Sequence, residues 1–240
     1  MPIEGNTGYM PLIYDFMPVS AADYPGVVAC TVFLPGCNFR CPYCHNGPLV
    51  TGSPKGKVPE SVFFDYLERR KKLIDGVCIT GGEPTLWSDL PEFILKLKKR
   101  GLKVKLDTNG SRPEVLKELL NKGLLDYVAV DIKTRPERYG IFTADESQIE
   151  GVRESVELLK ASLADYEFRT TVHEKIHSPE DFEAIGRWLS GAKRYVLQGY
   201  RFSEGVLDPE FCGEKPCDGA LLERIKESLR ESFGEVVIRN

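Results

Sequence analysis

Apolar positions along this chain alternate between two periods. Short runs rich in β-branched residues, at Val28–Leu34, Val77–Thr80, Val104–Leu106, Tyr127–Ile132, Phe168–Val172 and Tyr195–Leu197, predict strands. Between them the period lengthens. Leu90, Phe93, Ile94 and Leu97 fall on one helical face, as do Ile149, Val152, Val156, Leu159 and Leu163, and then Phe182, Ile185 and Leu189. Ser111-Arg-Pro-Glu114 and Ser178-Pro-Glu-Asp181 place a serine ahead of a proline and an acid, which marks helix starts. Strands and helices that alternate at this interval predict parallel strands joined by right-handed crossovers. About six βα units are visible, which suits an α/β fold of the partial, open TIM type rather than a closed eight-fold barrel. No linker or repeat interrupts the pattern. A single domain over residues 1–240 is expected, with the barrel core at about 25–200 and a helical C-terminal extension at about 201–240.

In such folds the ligand lies at the carboxyl ends of the strands. Four polar or glycine-rich segments follow successive predicted strands: the loop from Pro35 to Cys44, Gly81-Gly82-Glu83-Pro84, Asp107-Thr108-Asn109-Gly110 and Asp131-Ile132-Lys133. Their convergence on one rim locates the expected site.

The first of these segments carries the chemistry. Cys37-Asn-Phe-Arg-Cys41-Pro-Tyr-Cys44 concentrates three of the seven cysteines in eight residues. Three thiolates supply three corners of a cubane iron–sulfur cluster and leave one iron open to a substrate. Fragments of the loop fit other chemistries. Cys41-Pro-Tyr-Cys44 matches a redox dithiol, and Cys41-x-x-Cys44-His45 matches a c-type haem attachment signal. Cys37, Cys41, Cys44 and His45 could also hold a structural zinc, although the usual paired second half of such a site is missing. The joint spacing favours the cluster. Cys30 and Cys78 sit inside apolar runs and are expected in the core. Cys212 and Cys217 are expected to be ordinary thiols near the surface.

Composition narrows the class. With 240 residues, 42% hydrophobic and 28% charged, the chain is long enough for a full core. A net charge of -4 does not suit a dedicated nucleic-acid binder. The basic run Lys96, Lys98, Lys99, Arg100, Lys103 and Lys105 is expected to be a solvated helix end. No signal peptide or apolar run of spanning length is visible, so a cytoplasmic protein without a membrane partner is expected.

CNFRCPYC resembles the CxxxCΦxC signature of the radical S-adenosylmethionine (SAM) enzymes, with Tyr43 as the aromatic position. The resemblance implies a [4Fe–4S] cluster on Cys37, Cys41 and Cys44. It further implies that SAM chelates the fourth iron and is cleaved to a 5′-deoxyadenosyl radical. Gly81, Gly82 and Glu83 resemble the family's GGEP motif, in which the glycines admit the ligand and Glu83 with nearby carbonyls receives the methionine ammonium. Asp107, Asn109, Asp131 and Lys133 resemble segments of the glycyl-radical-enzyme activases that flank the cosubstrate and a cation site. By that likeness Lys133 pairs with the methionine carboxylate. Arg169, whose guanidinium fork suits a carboxylate, is expected either to make a second contact to it or to form a structural salt bridge. The formate-lyase activases carry a nucleoside-side histidine where this chain has Gln198, which would substitute for it. His173 and His177 are expected in a loop or at the surface.

Asp23-Tyr-Pro-Gly-Val-Val28, Phe33-Leu-Pro-Gly36 and Tyr43-Cys-His-Asn46 are similar to the activating proteins of anaerobic ribonucleoside-triphosphate reductases. This implies a glycyl-radical enzyme as partner and a reduced flavodoxin or ferredoxin as electron donor. Alternatives are activation of a formate-lyase-like enzyme, modification of a small molecule, or a non-catalytic iron–sulfur electron carrier.

Overall fold

The computed structural model describes residues 13–51, 58–201, 206–211 and 215–239. Eight strands run through them: β1 (Asp15–Ser20), β2 (Ala29–Leu34), β3 (Gly76–Gly81), β4 (Lys103–Thr108), β5 (Tyr127–Asp131), β6 (Asp165–Val172), β7 (Arg194–Gly199) and β8 (Glu235–Arg239). The helices are α1 (Gly47–Thr51), α2 (Glu60–Arg69), α3 (Leu90–Lys98), α4 (Pro113–Asn121), α5 (Glu146–Lys160), α6 (Pro179–Trp188) and α7 (Gly219–Leu229). Strand order follows chain order from β1 to β8, so the sheet is open, with those two strands at its edges. Among the described residues, no helix is long and apolar enough to cross a membrane.

The chain divides into two compact units. One comprises residues up to 38, 46–108 and 114–128; the other comprises 39–45, 109–113 and 129 onward. In the first, β2, β3 and β4 are parallel, and Thr31, Cys78 and Lys105 stand side by side in register. The apolar stripe of α3 is buried as its spacing predicts, through Leu90, Phe93, Ile94 and Leu97. In the second unit β6, β7 and β8 are parallel. Helix α5 starts where the Asp145 side chain accepts from Ser147 N at 3.0 Å, and it buries Val152, Val156 and Leu159. At the head of α6, Ser178 N donates to Asp181 Oδ2 at 2.8 Å, half of the expected capping box.

All six predicted strands are present. Four expectations need correction. Strand β1 was not expected; it pairs antiparallel with β2 through a bulge between Met17 and Ser20, and such mixed, mostly exposed strands carry little periodic signal. The C-terminal extension is not purely helical, because β8 follows α7 and joins β7. Helix α5 ends at Lys160, and Leu163 is fully exposed rather than part of its stripe. Lys105 is not solvated: it is 0% exposed on β4, where its ammonium bonds Asp107 and lies 3.7 Å from Cys78 Sγ. Lys96 and Lys98 do lie at the end of α3, on Glu60 and Asp126, both at 2.7 Å, whereas Lys103 opens β4.

Candidate active site

In the first unit the rim is built from main chain. Gly36 N donates to Leu49 O (2.8 Å), Gly82 N to Leu34 O (2.8 Å) and Glu83 N to Gly36 O (2.7 Å). The glycines are required by this contact. Gly81 has φ +119°, and a Cβ there would lie 2.4 Å from Leu34 N and O; at Gly82 it would lie 1.9 Å from Gly36 O. These glycines therefore admit the neighbouring loop, in addition to any ligand. Asn46 Nδ2 caps Gly81 O at 3.1 Å.

Glu83 turns inward. Its carboxylate is completely buried, and Oε1 accepts from Thr85 N (3.0 Å), Thr85 Oγ1 (2.5 Å) and Thr108 Oγ1 (2.7 Å). That bonding starts the short 3-10 turn Pro84–Leu86 and pins the end of β4 to it. Asp107 is buried against Lys105. Cys37 follows Gly36 and is half-buried.

In the second unit the site is made of side chains. Asn109 Oδ1 accepts from Ser111 N at 2.9 Å and shapes the turn before α4. At the end of β5, Asp131 Oδ1 accepts from Arg169 Nε (2.5 Å) and Asp131 Oδ2 from Lys133 Nζ (3.1 Å). Burial opposes the charge on Asp131, but Arg169 and Lys133 outweigh it and hold the carboxyl well below the usual carboxylate range. Burial likewise opposes the Lys133 charge, and Asp131 reverses it, so the ammonium persists far above its ordinary range. Asp131 thus ties the two cations to one carboxylate at the end of β5. Gln198 is half-buried on β7, in register with Thr171 and Arg239.

The stretch Phe39–His45 belongs to this unit. Its backbone is tied by Arg40 N to Phe142 O (2.8 Å), Leu207 N to Cys44 O (3.1 Å) and Asp208 N to Pro42 O (3.0 Å). Cys44 N bonds Cys41 O at 3.0 Å, closing a turn with a thiol at each end. Burial pushes the Cys41 thiol up to about 11, against the pull of Lys133. Tyr43 is buried, with its ring stacked on His173 (centroids 5.8 Å apart) and edge-on to Phe142 (6.1 Å) and Tyr200 (6.4 Å). Its hydroxyl is buried and has no hydrogen-bond partner among the described residues.

His173 and His177 are not at the surface: they are 3% and 7% exposed. His177 Nδ1 accepts from His173 N (3.1 Å), and Nε2 lies 2.7 Å from Lys133 O, fixing the strand end that bears the lysine. Burial lowers the His177 pKa. His173, Tyr200, Lys175, Lys215 and Cys217 line a cavity of about 500 Å³ beside them. Burial raises the Cys217 thiol to about 11. Cys30 and Cys78 are in the core as expected, and Cys212 lies outside the described residues.

The sequence profile of the Radical SAM superfamily matches residues 31–189. The chain belongs to the radical SAM superfamily. A Methanocaldococcus jannaschii protein provisionally named a glycyl-radical enzyme activating enzyme is 34% identical over 207 residues, 83% of this chain and 84% of its own length. A second protein of that organism with the same provisional name is 29% identical over 206 residues, 83% of this chain and 76% of its own. Streptococcus suis SuiB with S-adenosylmethionine bound has a TM-score of 0.66 at 14% identity, covering 88% of this chain. This chain spans about half of that structure, 52%, and shares its fold, the open α/β barrel expected from the strand–helix pattern.

Radical SAM enzymes use a [4Fe–4S] cluster and S-adenosylmethionine, and these are the cofactors of this chain. The donor chemistry fits. Cys37, Cys41 and Cys44 stay out of disulfides, and three cysteine sulfurs are the donor set such a cluster takes. Among the described residues, no three His, Cys, Asp or Glu side chains gather as around a single ion. The unpartnered Tyr43 hydroxyl is a further buried group that an incoming ligand would satisfy.

Proposed function

We propose that this radical SAM enzyme activates a glycyl-radical enzyme, and that its partner is an anaerobic ribonucleoside-triphosphate reductase. The observation that carries the reading is the likeness to a provisionally named activating enzyme over 84% of that protein's length. Both compact units are read as one catalytic domain, since the superfamily match at 31–189 draws on each.

In this reading Cys37, Cys41 and Cys44 hold the cluster. When bound and reduced, the cluster would supply the one electron needed to cleave S-adenosylmethionine, chemistry that would serve to remove the α-hydrogen of a partner glycine. The chain's own residues bind and orient. Lys133 and Arg169, aligned by Asp131, would receive the methionine carboxylate, whose geometry suits a guanidinium fork and an ammonium. Glu83 and nearby carbonyls would receive the ammonium, with Glu83 also bracing the rim by bonding Thr85 and Thr108. Tyr43, Asp107, Asn109 and Gln198 complete the cosubstrate's surroundings. The donor is a reduced flavodoxin or ferredoxin, and the setting is the cytoplasm.

The test is spectroscopic. Protein reconstituted with iron and sulfide under anaerobic conditions and reduced with dithionite should change its electron-spin resonance when S-adenosylmethionine is added, and should release 5′-deoxyadenosine. With the reductase present, a glycyl doublet should appear. Cosubstrate cleavage without that doublet rejects the reductase as partner; an unshifted signal without product rejects the enzyme reading in favour of an electron carrier.

A further inference from the structure

A lysine is almost never wholly enclosed in a fold, yet Lys105 is 0% exposed on β4. In the first unit Thr31, Cys78 and Lys105 stand in register on three adjacent parallel strands, so their side chains share one face of the sheet. Asp107, two residues further along β4, lies on that same face. The Lys105 ammonium bonds the Asp107 carboxylate and lies 3.7 Å from Cys78 Sγ, with the Tyr127 ring centre 6.0 Å away. Thr31 donates its hydroxyl to Asp23 Oδ2 at 2.5 Å. Cys78, like Lys105, is 0% exposed.

Stability is a poor reason for this lysine. Desolvation consumes most of what an enclosed ion pair gains, and apolar residues of similar volume often serve as well or better. What an apolar side chain cannot supply is an amine beside a thiol, already bonded to a carboxylate that can take its proton. Cys30 gives the contrast. It is as deeply buried on β2, but its row continues through Val77 and Val104, which offer no amine.

We propose that Cys78 and Lys105 are the site of an oxidative cross-link, an S–O–N bridge from Sγ to Nζ formed by dioxygen. The oxidant is small and apolar and partitions into protein interiors. The ammonium passes one proton to Asp107; the S–H bond, a second N–H bond and the O–O bond then break. One oxygen atom forms the S–O and O–N bonds, and the other leaves as water with the two hydrogens released by sulfur and nitrogen. Sulfur and nitrogen lose two electrons each, and dioxygen takes all four. The bridge draws the two atoms together by about 1 Å, within reach of a flexible four-carbon stem, whereas a direct S–N bond would need about twice that. Excess dithiol returns the four electrons and restores thiol, amine and water. Once bridged, Lys105 carries no charge and Asp107 is left as a protonated acid at the end of β4, so exposure to air changes the charge there reversibly. The modification goes beyond the function proposed above and does not depend on it.

The experiment exposes the full, metal-free chain to air-saturated buffer and maps its tryptic peptides by mass, since other cysteines oxidise in air as well. The peptide holding Cys78 should be found joined to the one holding Lys105, with one oxygen gained and two hydrogens lost, about 14 Da above the sum of the two. Trypsin should no longer cut after Lys105. Isotopically labelled dioxygen should place its heavy atom in the joined peptide, and dithiothreitol should separate the pair. Lys105→Arg, which keeps the cation, and Cys78→Ala should each abolish the product, while Cys30→Ala should retain it. Should a variant fail to fold, the map of the unaltered chain still decides. Joined peptides without the added oxygen overturn the proposal, as does Cys78 left unchanged or oxidised alone to a sulfinic acid, which dithiothreitol does not reverse. None of these readings involves the cluster or S-adenosylmethionine, so failure of the function proposed above leaves them standing.

Discussion

The two units hold their parts of the site by different means. In the first, the loops after β2 and β3 meet main chain to main chain, through Glu83 N on Gly36 O and glycines that leave no room for a Cβ. In the second, the ends of β5 and β6 carry an aspartate shared by two cations, and a stacked Tyr43–His173 pair. The first arrangement is fixed by steric fit and is indifferent to pH. The second is fixed by charge and ring packing, so it can be tuned by single substitutions and weakened by acid. On the proposed function, rigid backbone would suit the loop that carries Cys37, and adjustable charge would suit recognition of a zwitterion.

Substitutions can break each half separately. The largest effect is chemical: Cys41→Ala should abolish S-adenosylmethionine cleavage and lower bound iron, read by product analysis and metal content. Retention of full cleavage would mean that Cys41 is not a ligand. Next, Gly82→Ala should destabilise the protein by about 3 kcal/mol, because its methyl meets the Gly36 carbonyl and the loops must part. Urea unfolding measures this, and a loss below about 0.5 kcal/mol would show that the interlock is soft. Asp131→Asn should cost about 2 kcal/mol by removing a charged acceptor from both Lys133 and Arg169.

The same variant tests pH. The Asp131 carboxyl is depressed in the fold, so its contribution is present above the unfolded value and fades as pH falls below about 4 towards the folded one. Asp131→Asn should therefore flatten that acid limb, while Gly82→Ala should shift stability equally at every pH. The smallest effect is expected at Leu163→Ser, within about 0.5 kcal/mol, since the side chain touches nothing it could lose.

Strands β2 to β7, the helical faces of α3 and α6, and the cysteine loop were legible because each rests on local periodicity or spacing. What was not legible depends on the third dimension. Lys105 reads as one more cation in a basic run, and only the register that sets it beside Cys78 and above Tyr127 shows it to be interior. His173 and His177 look like loop histidines, yet the turn after β6 carries them inward onto Tyr43 and the Lys133 carbonyl. Tyr139 and Phe142 sit in a short 3-10 segment, Pro136–Ile141, and its end, where no periodic pattern announces a role. Glu83 was correctly singled out, but its burial and its three donors give it a bracing task that a motif does not reveal. The strip used to infer the partner also has local work to do: Asp23 accepts from Thr31 Oγ1 at 2.5 Å, and Asn46 holds Gly81 O. Those residues would be retained for folding whatever the partner.

The three amide bonds of Gly36, Gly82 and Glu83 have a consequence for the life of the protein in air. None of them involves a cysteine thiol, so loss of a metal to oxygen should leave the frame behind Cys37 standing. Their amides should stay among the slowest to exchange with deuterium in the metal-free chain, and the damaged protein should refill with iron and sulfide without passing through an unfolded state.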